Sequence, residues 1–417
     1  MKEKSNIRHS VNTSQPQGTV HCFLFEPSVY ISLLAFLEGD ITADEIKEAV
    51  EKAYTQNETT MSKVILENGN IFFQNISQTG CKAYVDQRNW QEIMHESEQS
   101  TFKINEGELV RSYIIPEKEG YSLFILAHHI TGDGKSLNML LEDILCNLTG
   151  KEVEYRRLNN EGMEKLPSNL KLPFFTNIGI KFFNAMWQKS GKKFTWKDYY
   201  NIHEKFWSSR QADIQFETME KEQFDFIKTE CKKLNITINS YIVTKLLQKN
   251  PEYESVCCPI SNRGENRSIS NRVLLVRMLH KYNTEKTFGE NAKEVHKKIR
   301  QNLEDSSKKY FIALSLGRIK PTLLDSLLMY THGGYKNTIS KKVAHLFGYA
   351  GDKTTHLSVT NLQNINFKSD YGRFRLKSVA FMAACMSATR NVACISTFQD
   401  KMTISYSNVK GANGPVI

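Results

Sequence analysis

The chain has no apolar run long enough to cross a bilayer. Its longest stretches of that kind, Leu33 to Leu37 and Leu123 to Ala127, fall far short of the ~20 residues a spanning helix needs. The opening, Met1 to Gln17, is polar and has no apolar h-region, so no secretory leader is expected. Paired cysteines are also missing. Cys22, Cys81, Cys146, Cys231, Cys257, Cys258, Cys385 and Cys394 form no CxxC pair, and Cys257 and Cys258 are adjacent. That spacing suits neither a zinc site nor a disulfide framework and fits reduced thiols in a cytosol. No GxxxxGK[ST] phosphate loop occurs, and no basic run with interleaved aromatics of the kind that binds RNA or DNA. The expectation is a soluble, cytoplasmic protein with no nucleic-acid partner, no metal and no bound cofactor.

What the chain does have is material for real cores. Hydrophobic residues make up 40% of its 417 residues, which excludes a disordered or fibrous chain, and the length suggests two lobes. The net charge of +10 favours anionic partners, a phosphate-bearing small molecule among them. Asp40 to Gln56 reads as a helix opened by a capping box of Thr42 and Glu45. Asn68-Gly69 between Ser62–Glu67 and Ile71–Asn75 reads as a hairpin. Residues 20–37 read as an extended segment. Strands are expected over Leu109–Pro116 and Tyr121–His129, and a helix over Lys135–Leu148, whose Leu137, Leu140, Leu141, Ile144, Leu145 and Leu148 share one face. Leu172 to Tyr200 is aromatic and basic. It reads as a linker that could touch a membrane surface or a greasy substrate, or as a helical hairpin packed on the body. The second half repeats the grammar of the first, which gives an α/β chain with an N-terminal lobe over 1–165, a linker over 166–205 and a C-terminal lobe over 206–417.

One run carries chemistry: His128-His129-Ile130-Thr131-Gly132-Asp133-Gly134, set where an apolar strand gives way to a helix. Side chains alternate along a strand, so the two histidines face opposite ways and only one can look into a given cleft. An imidazole suits base work because its unperturbed pKa lies near 6.5. On spacing alone a structural histidine pair competes with that reading. A metal site shared by His129 and Asp133 is disfavoured by the glycines that interrupt the helix.

This run resembles the HHxxxDG motif of the chloramphenicol-acetyltransferase-like superfamily, which includes peptide condensation domains and alcohol acyltransferases. Phe102–Arg111 (FKINEGELVR), Lys232–Leu247 (KKLNITINSYIVTKLL), Cys258–Val276 (CPISNRGENRSISNRVLLV) and His356–Ile365 (HLSVTNLQNI) resemble further stretches of that family, in its order. The resemblance implies two chloramphenicol-acetyltransferase-like lobes of mixed sheets flanked by helices, with a tunnel between them. It implies transfer of an acyl group from acyl-CoA or a phosphopantetheinyl carrier protein to a small-molecule alcohol or amine. His129 would be the general base and His128 support. Asp133 would be a structural partner of Arg263, with Arg111 as second choice. Gly134 would lie beside the pantetheine arm, and Thr360 and Asn361 would face donor or intermediate.

The chain departs from two branches of the family. It has no DFGWG motif, as plant alcohol acyltransferases do, and NETTMSKVI stands at 57–65 where peptide condensation domains carry RHxxLRT. No carrier or adenylation domain is fused in this sequence. The expected protein is a stand-alone acyltransferase. The competing expectation is a catalytically silent condensation-like module that docks a carrier protein.

Overall fold

The computed structural model describes residues 8–10, 17–158, 169–383 and 385–411. The first half supplies β1 (Arg8–Ser10), β2 (Tyr30–Gly39), β3 (Ser62–Glu67), β4 (Asn70–Asn75), β5 (Lys82–Val85), β6 (Val110–Glu117) and β7 (Gly120–His128). The second supplies β8 (Arg210–Met219), β9 (Ser255–Ser261), β10 (Val273–Leu279), β11 (Thr355–Ile365), β12 (Phe374–Ala383), β13 (Thr389–Phe398) and β14 (Lys401–Gly411). They form a five-stranded sheet β12-β2-β7-β6-β5, a six-stranded sheet β10-β9-β11-β13-β14-β8 and a small sheet β1-β4-β3. Both large sheets are mixed: β5 pairs parallel with β6, and β11 parallel with β9 and β13, while the remaining neighbours are antiparallel.

Local sequence explains the pieces nearest the site. β7 is flanked on both edges by β2 and β6, and Leu123 to His128 are all buried. Such a strand reads as a continuous apolar run rather than an alternating one. The helix Gly134–Leu148 follows with its leucine stripe inward, against the helix Ala43–Thr55 and β2. Thr42 and Glu45 form the capping box on that second helix. Asn68 and Gly69 take positive φ at the β3–β4 turn, which a two-residue hairpin requires.

One expectation changes. Residues 20–37 are not one extended segment: Gln17–Leu24 is a helix and only then does β2 begin. A short apolar run such as Val20 to Phe25 does not distinguish helix from buried strand by period. Packing of this helix on the helix Pro321–Thr331 settles it. The aromatic and basic stretch, read as a linker or as a helical hairpin on the body, holds two helices, Phe174–Gln188 and Trp196–Trp207. The latter is part of the body, since Tyr199, His203 and Trp207 are buried. β12, from the second half, is an edge strand of the first sheet, paired with β2 from Phe374↔Gly39 to Ala383↔Ile31. Ser396 of β13 and Ser405 of β14 donate hydroxyl hydrogen bonds to β12 carbonyls at Val379 and Phe381 (3.1 and 2.8 Å). One strand thus belongs to one sheet and is stitched to the other.

Candidate active site

β7 ends at His128, opposite Tyr30 of β2, and the His129 N–H continues the pairing by donating to Val29 O at 2.8 Å. Alternation then separates the two imidazoles. His128 is fully buried among the rings of Phe102, Tyr199 and His203, while His129 keeps part of its surface open. The Ile130 N–H donates to His128 Nδ1 at 3.2 Å. Burial holds the His128 pKa well below the usual histidine range, so this ring is a neutral packing element.

His129 is held differently. Its Nδ1 lies 2.8 Å from the carbonyl oxygen of Gly132. A carbonyl only accepts, so Nδ1 carries the hydrogen and Nε2 keeps its lone pair. The ring stacks on Phe23, with centroids 4.1 Å apart and planes inclined by 11°. Burial lowers the His129 pKa as well, which keeps Nε2 unprotonated near neutral pH. Asn271 donates from Nδ2 to the His129 carbonyl at 2.7 Å and so fixes the backbone from the second lobe.

Asp133 does not touch the imidazole nitrogens through any hydrogen bond among the described residues. It caps the helix Gly134–Leu148, accepting from Ser136 N–H (2.9 Å) and Ser136 Oγ–H (3.2 Å) at Oδ1. Arg263 Nη2 meets the same oxygen at 2.8 Å, and the Arg272 N–H meets Oδ2 at 2.9 Å. Arg263 is itself buried and donates further to Ser268 O, Ser270 O and Ser136 Oγ. Asp133 and Arg263, 130 residues apart, are brought together in one buried network that ties the lobes. Arg111 is elsewhere: it pairs with Glu108 and lies over the Phe102 ring.

Gly134 opens the helix where no side chain fits. A Cβ there would stand 2.6 Å from Leu362 Cδ2 and 2.8 Å from Phe381 Cζ. Leu362 belongs to β11, which also carries Thr360 and Asn361, both half-buried. The Gln363 N–H donates to Asn361 Oδ1 at 2.7 Å, so the free hydrogen-bonding end of that amide is its Nδ2 donor. Among the described residues no group of His, Cys, Asp and Glu could hold a metal ion, and no helix is long and apolar enough to cross a membrane. All eight cysteines are free thiols.

Phe23 and Asn271 are the contacts that sequence reasoning missed. Phe23 sits in the segment read as a strand. Asn271 lies inside the recognised Cys258–Val276 stretch, from which only Arg263 was drawn.

Two mixed α/β lobes joined by a shared strand, which carry a strand-end histidine facing outward and, four residues on, an aspartate locked to an arginine of the other lobe, have a condensation-domain-like fold. Comparison with known proteins agrees. Residues 26–158 match the family model described as Condensation domain. The chain is similar in structure to the first condensation domain of the CDA synthetase (9% identity, 99% of this chain and 93% of that one, TM-score 0.62). It is also similar to polyketide synthase associated protein 5 from Mycobacterium tuberculosis (11% identity, 99% and 95%, TM-score 0.59). A third likeness is to trichothecene 15-O-acetyltransferase from Fusarium sporotrichioides (10% identity, 97% and 91%, TM-score 0.61). A search of curated protein sequences finds no match.

Proposed function

We propose that this protein is an acyltransferase that moves an acyl group from a phosphopantetheine thioester, acyl-CoA or an acyl-carrier protein, to a small-molecule hydroxyl or amine, with His129 as general base. The observation that carries the reading is the 2.8 Å contact of His129 Nδ1 with Gly132 O, from which the tautomer follows. Gly132 O holds the Nδ1 hydrogen, Phe23 holds the ring plane, and Nε2 is left unprotonated on the accessible imidazole. Nε2 takes the proton of the acceptor O–H or N–H as the oxygen or nitrogen attacks the thioester carbonyl. Collapse of the tetrahedral intermediate breaks the C–S bond, and the imidazolium returns its proton to the departing thiolate. A positioned base of this kind contributes about 10²- to 10⁴-fold. The Asn361 Nδ2 and the Thr360 hydroxyl are candidate donors to the carbonyl oxygen as it gains charge. The net charge of +10 suits a phosphorylated donor or an acidic carrier.

The test is thiol release across a panel of acyl-CoAs and acyl-carrier proteins with candidate alcohols and amines, products identified by mass spectrometry. Wild type should release thiol and acylate an acceptor. His129→Ala should lose at least about 10²-fold in kcat with its fold intact. Full turnover by His129→Ala would overturn the base assignment. Carrier-protein binding without turnover on any acceptor would instead support a silent docking module.

A further inference from the structure

The helix Phe174–Gln188 has two apolar faces, and the body uses only one. Ile180 (4% exposed) and Trp187 (2%) are buried. Trp187 Nε1 donates to Thr322 Oγ1 at 2.9 Å. Asn184 binds the backbone on both sides of Ile319, donating to Arg318 O (2.7 Å) and accepting from Lys320 N–H (2.9 Å). The helix is therefore firmly seated. On the opposite side Phe174, Phe175, Ile178, Phe182 and Met186 point into solvent, with Phe175 84% and Phe174 71% exposed. Isolated exposed apolar residues need no explanation, but a stripe of five along about 18 Å of one helix does.

The chain segment that carries this stripe has charge of one sign. From Asn169 to Phe194 the chain carries five lysines and no acidic residue. Beside the stripe lies a depression of about 660 Å³ whose floor is Leu172, Phe174 and Ile180 and whose charged groups are Lys171, Lys181 and Arg318. Three cations with no carboxylate, set next to apolar side chains, match an anionic headgroup above acyl chains. A protein groove would screen the phenylalanines but would not call for an all-cationic rim.

We infer that this helix seats the protein on an anionic membrane surface, with Phe174, Phe175 and Phe182 entering the headgroup–acyl boundary and Lys171, Lys181 and Arg318 taking lipid phosphates. The face is joined to the candidate active site through two packed helices. The helix Pro321–Thr331 holds Trp187 through Thr322 and meets His21 through Asp325 (3.4 Å), and His21 shares its helix with Phe23, the ring stacked on His129.

Co-sedimentation of the full chain with vesicles tests the inference without reference to activity. Wild type should sediment with phosphatidylcholine vesicles containing about a third phosphatidylglycerol, remain in solution with phosphatidylcholine alone, and be released by salt. Phe175→Ala/Phe182→Ala should lower the partition coefficient about tenfold or more. Lys171→Glu/Lys181→Glu should abolish the preference for anionic vesicles. Both variants change exposed residues and should melt like wild type. Wild type that stays in solution with every vesicle, or a Phe175→Ala/Phe182→Ala variant that partitions like wild type, overturns the inference. So does a wild-type dimer in analytical ultracentrifugation, indifferent to vesicles, that this variant converts to monomer, because the face is then a protein interface.

Discussion

Replacing Asp133 with alanine removes four hydrogen bonds and one charge from a site with no water-exposed alternative. Asp133 Oδ1 serves Ser136 N–H, Ser136 Oγ–H and Arg263 Nη2, and Oδ2 serves Arg272 N–H. Removing one partner of a buried ion pair costs about 3–5 kcal/mol, because the other charge stays behind uncompensated. Arg263 keeps three neutral acceptors, Ser268 O, Ser270 O and Ser136 Oγ, which places the charge component near 3 kcal/mol. The lost helix cap adds about 1 kcal/mol. Asp133→Ala should therefore lose about 4 kcal/mol, a large part of an ordinary domain's stability. Arg263→Ala should lose less, about 2 kcal/mol, since the carboxylate left behind still faces two backbone N–H groups and a helix N-terminus. The double variant should be more stable than the sum of the singles implies by at least about 1.5 kcal/mol. Urea unfolding followed by tryptophan fluorescence and far-ultraviolet circular dichroism measures all three, with coincident curves as the check that one transition is being read. An Asp133→Ala variant within 1 kcal/mol of wild type, or strict additivity in the double variant, would refute the tie between the lobes.

Three further outcomes follow from the same geometry. Partial burial lowers the His129 pKa, so the acidic limb of a kcat/KM profile should fall below pH 6.5 and activity should be flat through neutrality; a limb at or above 7 would contradict a neutral, half-buried base. His203, pressed against the Tyr199 ring at 4.4 Å, is pushed down to about 3 by burial. The unfolded chain takes up that proton near pH 6.5 and the folded one does not, so stability is full above 6.5 and lost as pH falls toward 3, by about 3 kcal/mol at pH 4.5. His203→Phe should flatten the pH dependence of the urea midpoint by that amount, and an unchanged slope would show that His203 protonates without unfolding. Gly134→Ala would push a methyl into Leu362 and Phe381 and should cost about 1–3 kcal/mol while raising KM for the thioester donor; wild-type stability and KM together would show that the neighbouring side chains yield freely.

What could be read from the sequence was what depends on near neighbours. The capping box at Thr42, the Asn68-Gly69 turn and the leucine face of Gly134–Leu148 are local devices, and each stands where its pattern put it. Opposite facing of His128 and His129 follows from strand pleating alone. The Asp133–Arg263 pair spans 130 residues and came to view only through resemblance to a family, because no period or spacing links two halves of a chain. The position of β12 was illegible for the same reason: an edge strand of either sheet carries the same alternation, and its pairing with β2 is decided by which sheet has an open edge. Phe23 was lost to a short apolar run whose helix forms only against the helix Pro321–Thr331.

The turn after β7 also decides what kind of chemistry Asp133 can take part in. In a relay the carboxylate would receive the Nδ1 hydrogen of the base, and here that hydrogen goes to Gly132 O. Both Asp133 oxygens are already engaged by donors from Ser136, Arg263 and Arg272. The aspartate therefore acts on His129 through the backbone: it fixes the start of the helix, which fixes the preceding carbonyl, which selects the tautomer. Two of its four donors, Arg263 Nη2 and the Arg272 N–H, come from the other lobe, as does the Asn271 amide on the His129 carbonyl. If His129 is the base proposed above, the contacts that join the two halves of the chain are the same ones that place the hydrogen on its Nδ1.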